Sequence, residues 1–185
     1  MRARTRNWLV RATVVAALGV VVLLGWLHRG SVPLQPGSLA PEFRAPSLRG
    51  DTLALSSLRG HVVLLNAWAT WCTPCRWEMP EMEQLYRRLA GQGLVVVAVS
   101  QDEAPGPDAT GGGTLGDVAG FVHENHLTFP VLLDPARRLQ QLYDIVGLPT
   151  TFLIDRQGRV VRKVLGPARW DEPPYRDEIL RLLGG

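Results

Sequence analysis

Two nearly uninterrupted apolar runs, His61–Ala69 (HVVLLNAWA) and Leu94–Ser100 (LVVVAVS), constrain the fold more than any other feature of the chain. A run that does not alternate with polar residues is what a strand buried on both faces requires. Between the runs, Met79, Met82, Leu85, Tyr86 and Leu89 recur at helical spacing, and Gly91 and Gly93 end the pattern near Ala90. Two strands joined by one helix predict a right-handed parallel βαβ unit. The chain has 185 residues, 46 % of them apolar, enough for one ordinary domain with an appendage.

The remaining segments extend that unit. Residues 51–58 predict a short strand and a helical turn. Residues 118–127 and 136–145 predict helices on either side of a short strand at 130–134. Residues 150–166 predict a β-hairpin turning at Asp155–Gly158, and 175–185 a final helix after Pro173-Pro174. Gln101–Asp117, rich in Gly and Pro, reads as a loop. The order predicts an α/β fold, a three-layer sandwich around a mixed central sheet.

The first thirty residues differ from the rest. They hold five arginines and no acid, whereas the other 155 residues hold 15 basic and 17 acidic side chains. The formal charge of +3 therefore describes the N-terminal segment. The folded part has no basic footprint, and nucleic-acid binding is excluded as a function class. Residues 8–27 predict a helix of about 30 Å, the thickness of a bilayer core, with Trp8 and Trp26 at its two ends. The basic end is expected to stay in the cytoplasm. The rival reading is a cleaved leader with a site at Ser38-Leu39-Ala40, but no small-x-small site follows the apolar run directly. The expected organisation is a basic tip and transmembrane anchor over 1–28, an extended linker over 29–40 and a domain over 41–185. The domain is expected on the extracytoplasmic, periplasmic side of the inner membrane.

The only two cysteines, Cys72 and Cys75, are three residues apart at the junction of the first strand and its helix. A disulfide between them closes almost no loop and adds little to stability. With Cys72 ending the strand and Pro74 in the first helical turn, the Cα atoms are about 5 Å apart, within disulfide range. Unpaired N–H groups and the positive end of the helix dipole face Cys72 and lower its pKa. Such a thiolate attacks a disulfide, and Cys75 resolves the mixed disulfide. Two other readings are a structural disulfide and half of a zinc site completed by His123 and His126. The proline between the cysteines favours redox work, and no metal or cofactor is implied.

Three pieces resemble the thioredoxin superfamily: Trp71-Cys72-Thr73-Pro74-Cys75, the run Gly147–Asp155 (GLPTTFLID), and Ala40-Pro41-Glu42-Phe43. Within it the chain is similar to the membrane-anchored extracytoplasmic thiol–disulfide reductases of cytochrome c maturation, the ResA/TlpA/CcmG group. The resemblance implies a thioredoxin-like fold and a cis Pro149 beside the cysteines. Trp71, Leu148 and Thr150 are then substrate-binding positions, with the Leu148 backbone edge facing an extended peptide. Asn66 stands where ordinary thioredoxins carry a buried aspartate. Glu78, three residues after Cys75, stands where this group places an acid under the active site. A partly buried carboxylate there has a raised pKa and shuttles protons for Cys75; the alternative is a solvated glutamate near the helix start. Glu81 and Glu83 read as surface charges, although Glu81 competes with Glu78 for the role. Trp77 is either a docking aromatic or part of the core.

The expected function is reduction of disulfides in apocytochrome c or a related cysteine protein, with electrons from a membrane thiol protein. Cys72, Cys75, Glu78 and Pro149 form the expected catalytic set. The alternatives are a thiol peroxidase and an accessory factor in copper-site assembly.

Overall fold

The computed structural model describes residues 34–103 and 114–184, and residues 15 and 18–20 near the N-terminus. The chain divides into two units, residues 1–32 and 33–185. In the first, the four described residues are helical. Among the described residues no helix is long and apolar enough to cross a membrane. The expected anchor at 8–27 lies almost wholly outside the described residues, as do residues 104–113 of the expected loop.

The second unit contains a five-stranded sheet and a small two-stranded one. In chain order the strands are β1 (Arg44–Pro46), β2 (Thr52–Ala54), β3 (Val62–Trp68), β4 (Leu94–Ser100), β5 (Val131–Leu133), β6 (Thr150–Ile154) and β7 (Val160–Leu165). The helices are α1 (Thr73–Leu89), α2 (Leu115–Glu124), α3 (Arg138–Leu142) and α4 (Tyr175–Leu183). The main sheet has the order β5-β4-β3-β6-β7. Strands β3, β4 and β5 are parallel, while β6 and β7 run antiparallel to their neighbours.

The apolar runs explain the centre of this sheet. All seven residues of β3 are buried, because β4 and β6 flank it and side chains pack on both faces. Its side chains alternate. Val62, Leu64 and Trp68 join Met79, Met82 and Leu85 of α1, Phe121 of α2 and Ile179 of α4. Val63, Leu65 and Ala67 join Leu139 and Tyr143 around α3, with Phe43 and Leu55 from the N-terminal segment. Asn66 follows the first set and therefore faces α1.

Four expectations change. Strand β1 lies outside the expected elements, because three residues ending in Pro46 carry no readable alternation. Helix α2 starts three residues earlier than its apolar spacing suggests, at a capping box in which Thr114 and Asp117 satisfy each other's backbone N–H groups. It ends before His126, which has a φ of 51°. Helix α3 is shorter than 136–145, because Asp134 accepts the Leu139 N–H at 2.8 Å and Arg137 enters the helix with a φ of 51°.

Glu83 is not a surface charge. It is 4 % exposed and accepts hydrogen bonds from the Thr128 hydroxyl at 2.6 Å and the Thr128 N–H at 2.8 Å. It also pairs with Arg87 at 2.5 Å. Burial alone would raise its pKa, but the Thr128 donors and the Arg87 charge outweigh it and hold the carboxyl below its ordinary value. Glu83→Ala leaves the Thr128 donors unpaired and should destabilise the fold by about 1–3 kcal/mol, read as a lower urea midpoint. An unchanged midpoint would show that water replaces the carboxylate at no cost.

Candidate active site

Strand β3 stops at Trp68, and four residues later Cys72 is the N-cap of α1. Its Sγ accepts the Cys75 N–H at 3.3 Å, and Pro74 occupies the first turn, where a missing N–H costs nothing. Cys72 and Cys75 are joined as a disulfide with Cα atoms 5.3 Å apart, in the range that helix geometry predicts. Cys75 is 0 % exposed and Cys72 is 5 % exposed. An external thiol or disulfide therefore meets Cys72 first, and Cys75 acts from within.

The connection into α1 is pinned by a residue of the Gln101–Asp117 segment, whose composition predicts a loop. Asp102, fully buried just past β4, accepts the Thr70 N–H at 3.1 Å and the Thr70 hydroxyl at 2.6 Å. The Ser100 hydroxyl donates to the same carboxylate at 2.7 Å. One acid thereby holds the backbone directly before Trp71 and Cys72. No motif marks this residue, because its partner is 32 positions away.

Glu78 lies one turn beyond Cys75 on the same face of α1. It is 3 % exposed, which rules out the solvated alternative. Its Oε1 accepts from the Trp170 indole N–H and from the Ala168 N–H at 3.3 Å, whereas its Oε2 has no partner. Burial pushes the carboxyl up from 4.5 to about 7. The Trp170 and Ala168 donors pull the other way, Glu81 adds to the rise, and the Asn66 amide opposes it. Glu81 is half-buried and paired with Arg169 at 3.1 Å. Of the two acids, Glu78 is the one inside the protein. Asn66 donates to the Thr151 hydroxyl at 2.8 Å, bridging β3 to β6.

The remaining expected positions come from the start of β6. The pairing of Ala67 with Thr150 brings Pro149 to the end of β3. The Leu148–Pro149 bond is cis, as is Pro173–Pro174. Leu148 packs against the cluster that includes Cys72 and Cys75. Among the described residues, neither its N–H nor its carbonyl has a backbone partner. Thr150 is fully buried, and its hydroxyl donates back to the Gly147 carbonyl at 2.7 Å. Its side chain closes a turn, and its backbone is paired with Ala67 of β3 on one side and Leu165 of β7 on the other.

Trp71 is 49 % exposed and Trp77 is 72 % exposed, so Trp77 is a surface aromatic. Between them Arg76 lies over the Phe121 ring, 5.7 Å from its centroid. His123 lies in the last turn of α2, and with His126 it lines a hollow that contains neither cysteine. Among the described residues, no group of three or more His, Cys, Asp or Glu is placed to hold a metal ion.

Residues 36–163 match the AhpC/TSA family. The chain belongs to that family. Within it, the chain is 38 % identical over 133 residues to a thiol-disulfide oxidoreductase ResA of Bacillus cereus, covering 72 % of this chain and 71 % of that one. ResA of Bacillus subtilis is 36 % identical over 153 residues, covering 83 % and 79 %. A crystal structure from Chlorobium tepidum, described as a thiol:disulfide interchange protein DsbE, superposes with a TM-score of 0.72 at 36 % identity, over 82 % of this chain and 99 % of that one. The fold is thioredoxin-like, and the chain is a thiol–disulfide oxidoreductase of the ResA and DsbE kind.

The raised pKa of Glu78 makes stability depend on pH with a definite sign. Between about pH 4.5 and 7 the folded state holds a proton that the unfolded chain has lost. The stability tied to that proton is fully present below 4.5 and is lost as pH rises through 7. The change corresponds to roughly 3 kcal/mol. Urea denaturation of the oxidised protein from pH 4 to 8 should show this fall, and Glu78→Gln should remove it. Equal slopes in the two proteins would mean that Glu78 titrates alike in the folded and unfolded states.

Proposed function

We propose that this oxidoreductase works as a membrane-anchored, extracytoplasmic reductase that keeps cysteines of apocytochrome c, or of a similar protein, in the thiol form. The observation that carries the reading is the pairing of a surface-reaching Cys72 with a fully buried Cys75 and a buried, raised-pKa Glu78 beneath it. A carboxyl with a pKa of about 7 is half protonated near neutrality, so it can both accept and return a proton. The two ResA relatives support the substrate class through their shared activity. The apolar N-terminal run supports the anchor, with the domain on the periplasmic side of the inner membrane.

The reaction follows from the placement. Donors at the start of α1 stabilise a thiolate on Cys72. The thiolate attacks one sulfur of the substrate disulfide, and the other sulfur leaves as a thiolate and takes up a proton. Cys75 gives its proton to Glu78 and attacks Cys72. The internal disulfide forms, and the second substrate sulfur leaves and is protonated. Two electrons and two protons pass to the substrate. A membrane thiol protein then reduces Cys72–Cys75 by the reverse exchange. Trp71, the Leu148 backbone and Pro149 surround the position where an extended substrate strand would lie.

The reduction potential of the Cys72–Cys75 pair in the full chain, solubilised in detergent, tests the direction of electron flow. A value near or below that of thioredoxin, about −270 mV, is expected; one near that of DsbA, about −120 mV, would make the protein an oxidant and end the reading. Cys72→Ser should abolish disulfide reduction. Cys75→Ser should keep the first attack and accumulate the mixed disulfide, seen as a dithiothreitol-sensitive adduct by gel and mass spectrometry. Rapid consumption of hydrogen peroxide by the reduced protein would instead favour the peroxidase alternative.

A further inference from the structure

Glu78 belongs to the active-site helix, yet the groups that hold it come from the segment between β7 and α4. Trp170 and Ala168 both donate to Oε1. Trp170 is fully buried and packs against Tyr175 with ring centroids 5.0 Å apart, so the indole has no room to turn away. The residues around it attach the same segment along α1: Arg169 pairs with Glu81 at 3.1 Å, and Asp171 pairs with Arg88. The other carboxyl oxygen, Oε2, is buried and unpartnered, and so is Asn66 Oδ1.

We propose that Trp170 is a positioning residue for the active-site proton: by committing Oε1 to the indole N–H, it leaves Oε2 as the one oxygen that exchanges a proton with the Cys75 thiol. The inference rests on the reading of Glu78 as proton carrier. An oxygen that already accepts two N–H donors is a poor seat for a proton, while a buried oxygen without a donor is costly to leave charged. The Asn66 amide reaches the carboxyl from β3 as a weak donor that opposes the rise, and its own oxygen, Oδ1, is buried and unpartnered. During resolution the Cys75 S–H proton passes to Oε2, and the electron pair stays on sulfur and attacks Cys72 Sγ. The bond from Cys72 to the substrate breaks with its pair on the substrate sulfur, which takes up the proton.

Few charges compete for control of this titration. On α1 it is Glu81, the two cysteines being joined as an uncharged disulfide in the oxidised protein. Strand β3 contributes only the neutral Asn66. The 168–171 segment contributes Arg169, tied to Glu81 and to Glu172 at 2.9 Å, and Asp171, tied to Arg88.

The test is an NMR titration of the oxidised full chain in detergent, following the Trp170 indole N–H and the Glu78 side-chain carboxyl carbon. The indole resonance should shift with the midpoint of Glu78, and the shift should vanish in Glu78→Gln. Trp170→Phe keeps an aromatic ring and removes the N–H. In that variant the Glu78 midpoint should rise by about one pH unit, and the pH profile of disulfide reduction should move up with it. An indole that stays flat through the Glu78 titration overturns the proposal, as does a Trp170→Phe midpoint equal to that of the parent. If both NMR signals behave as expected but the rate profile does not follow, the contact stands and the proton-carrier reading beneath it falls. Should Trp170→Phe not fold, the indole titration in the parent and in Glu78→Gln decides the matter.

Discussion

Water is excluded from every residue of β3, and the positions of the other elements follow from that exclusion. Each fully buried Val or Leu contributes roughly 1.5–3 kcal/mol relative to exposure, so the strand tolerates neither a shift in register nor an open face. Its alternation assigns Leu64 and Trp68 to one side and Leu65 and Ala67 to the other. Its end at Trp68 determines where α1 begins, and the N-cap of α1 is the sulfur of Cys72. The same alternation turns Asn66 toward α1, where it meets Glu78. The reactive pair is thus a product of core packing as much as of its own motif.

Two buried carboxylates on α1 show how partners decide what a desolvated acid becomes. Glu83 meets a guanidinium and two donors from Thr128, which more than compensate for burial, and it stays charged as a structural tie. Glu78 meets only neutral donors, both on one oxygen, and its proton affinity rises. The two are five residues apart on one helix and both scarcely exposed, with Glu78 the more deeply surrounded by protein. Their difference lies first in depth of burial, then in charge and in how many lone pairs are satisfied.

Much of this was legible in the residues themselves. The apolar runs located β3 and β4, and the spacing of Met79, Met82 and Leu85 located α1. The Cys-x-Pro-Cys pattern placed a redox pair at the junction. Glu78 could be singled out because its distance from Cys75 is a local, helical quantity. What escaped has non-local causes. Glu83 is buried because Thr128 packs over it, 45 residues away. Asp102 reaches back to Thr70, and Trp170 reaches across 92 positions to Glu78. Strand β1 and the true ends of α2 and α3 depend on short capping and turn interactions that periodicity does not register.

The attachment of residues 168–171 along α1 has a consequence for how portable such a site is. The four residues from Cys72 to Cys75 form a compact cassette, but the acid below them acquires its character from a segment encoded nearly a hundred positions later. Grafting the cassette and Glu78 onto a related scaffold would transfer the two sulfurs and the helix start. Without an indole donor in the β7–α4 connection it would not transfer the single-oxygen grip on the carboxyl. Homologues with identical cysteine motifs can therefore diverge in proton handling through changes near their C-termini alone.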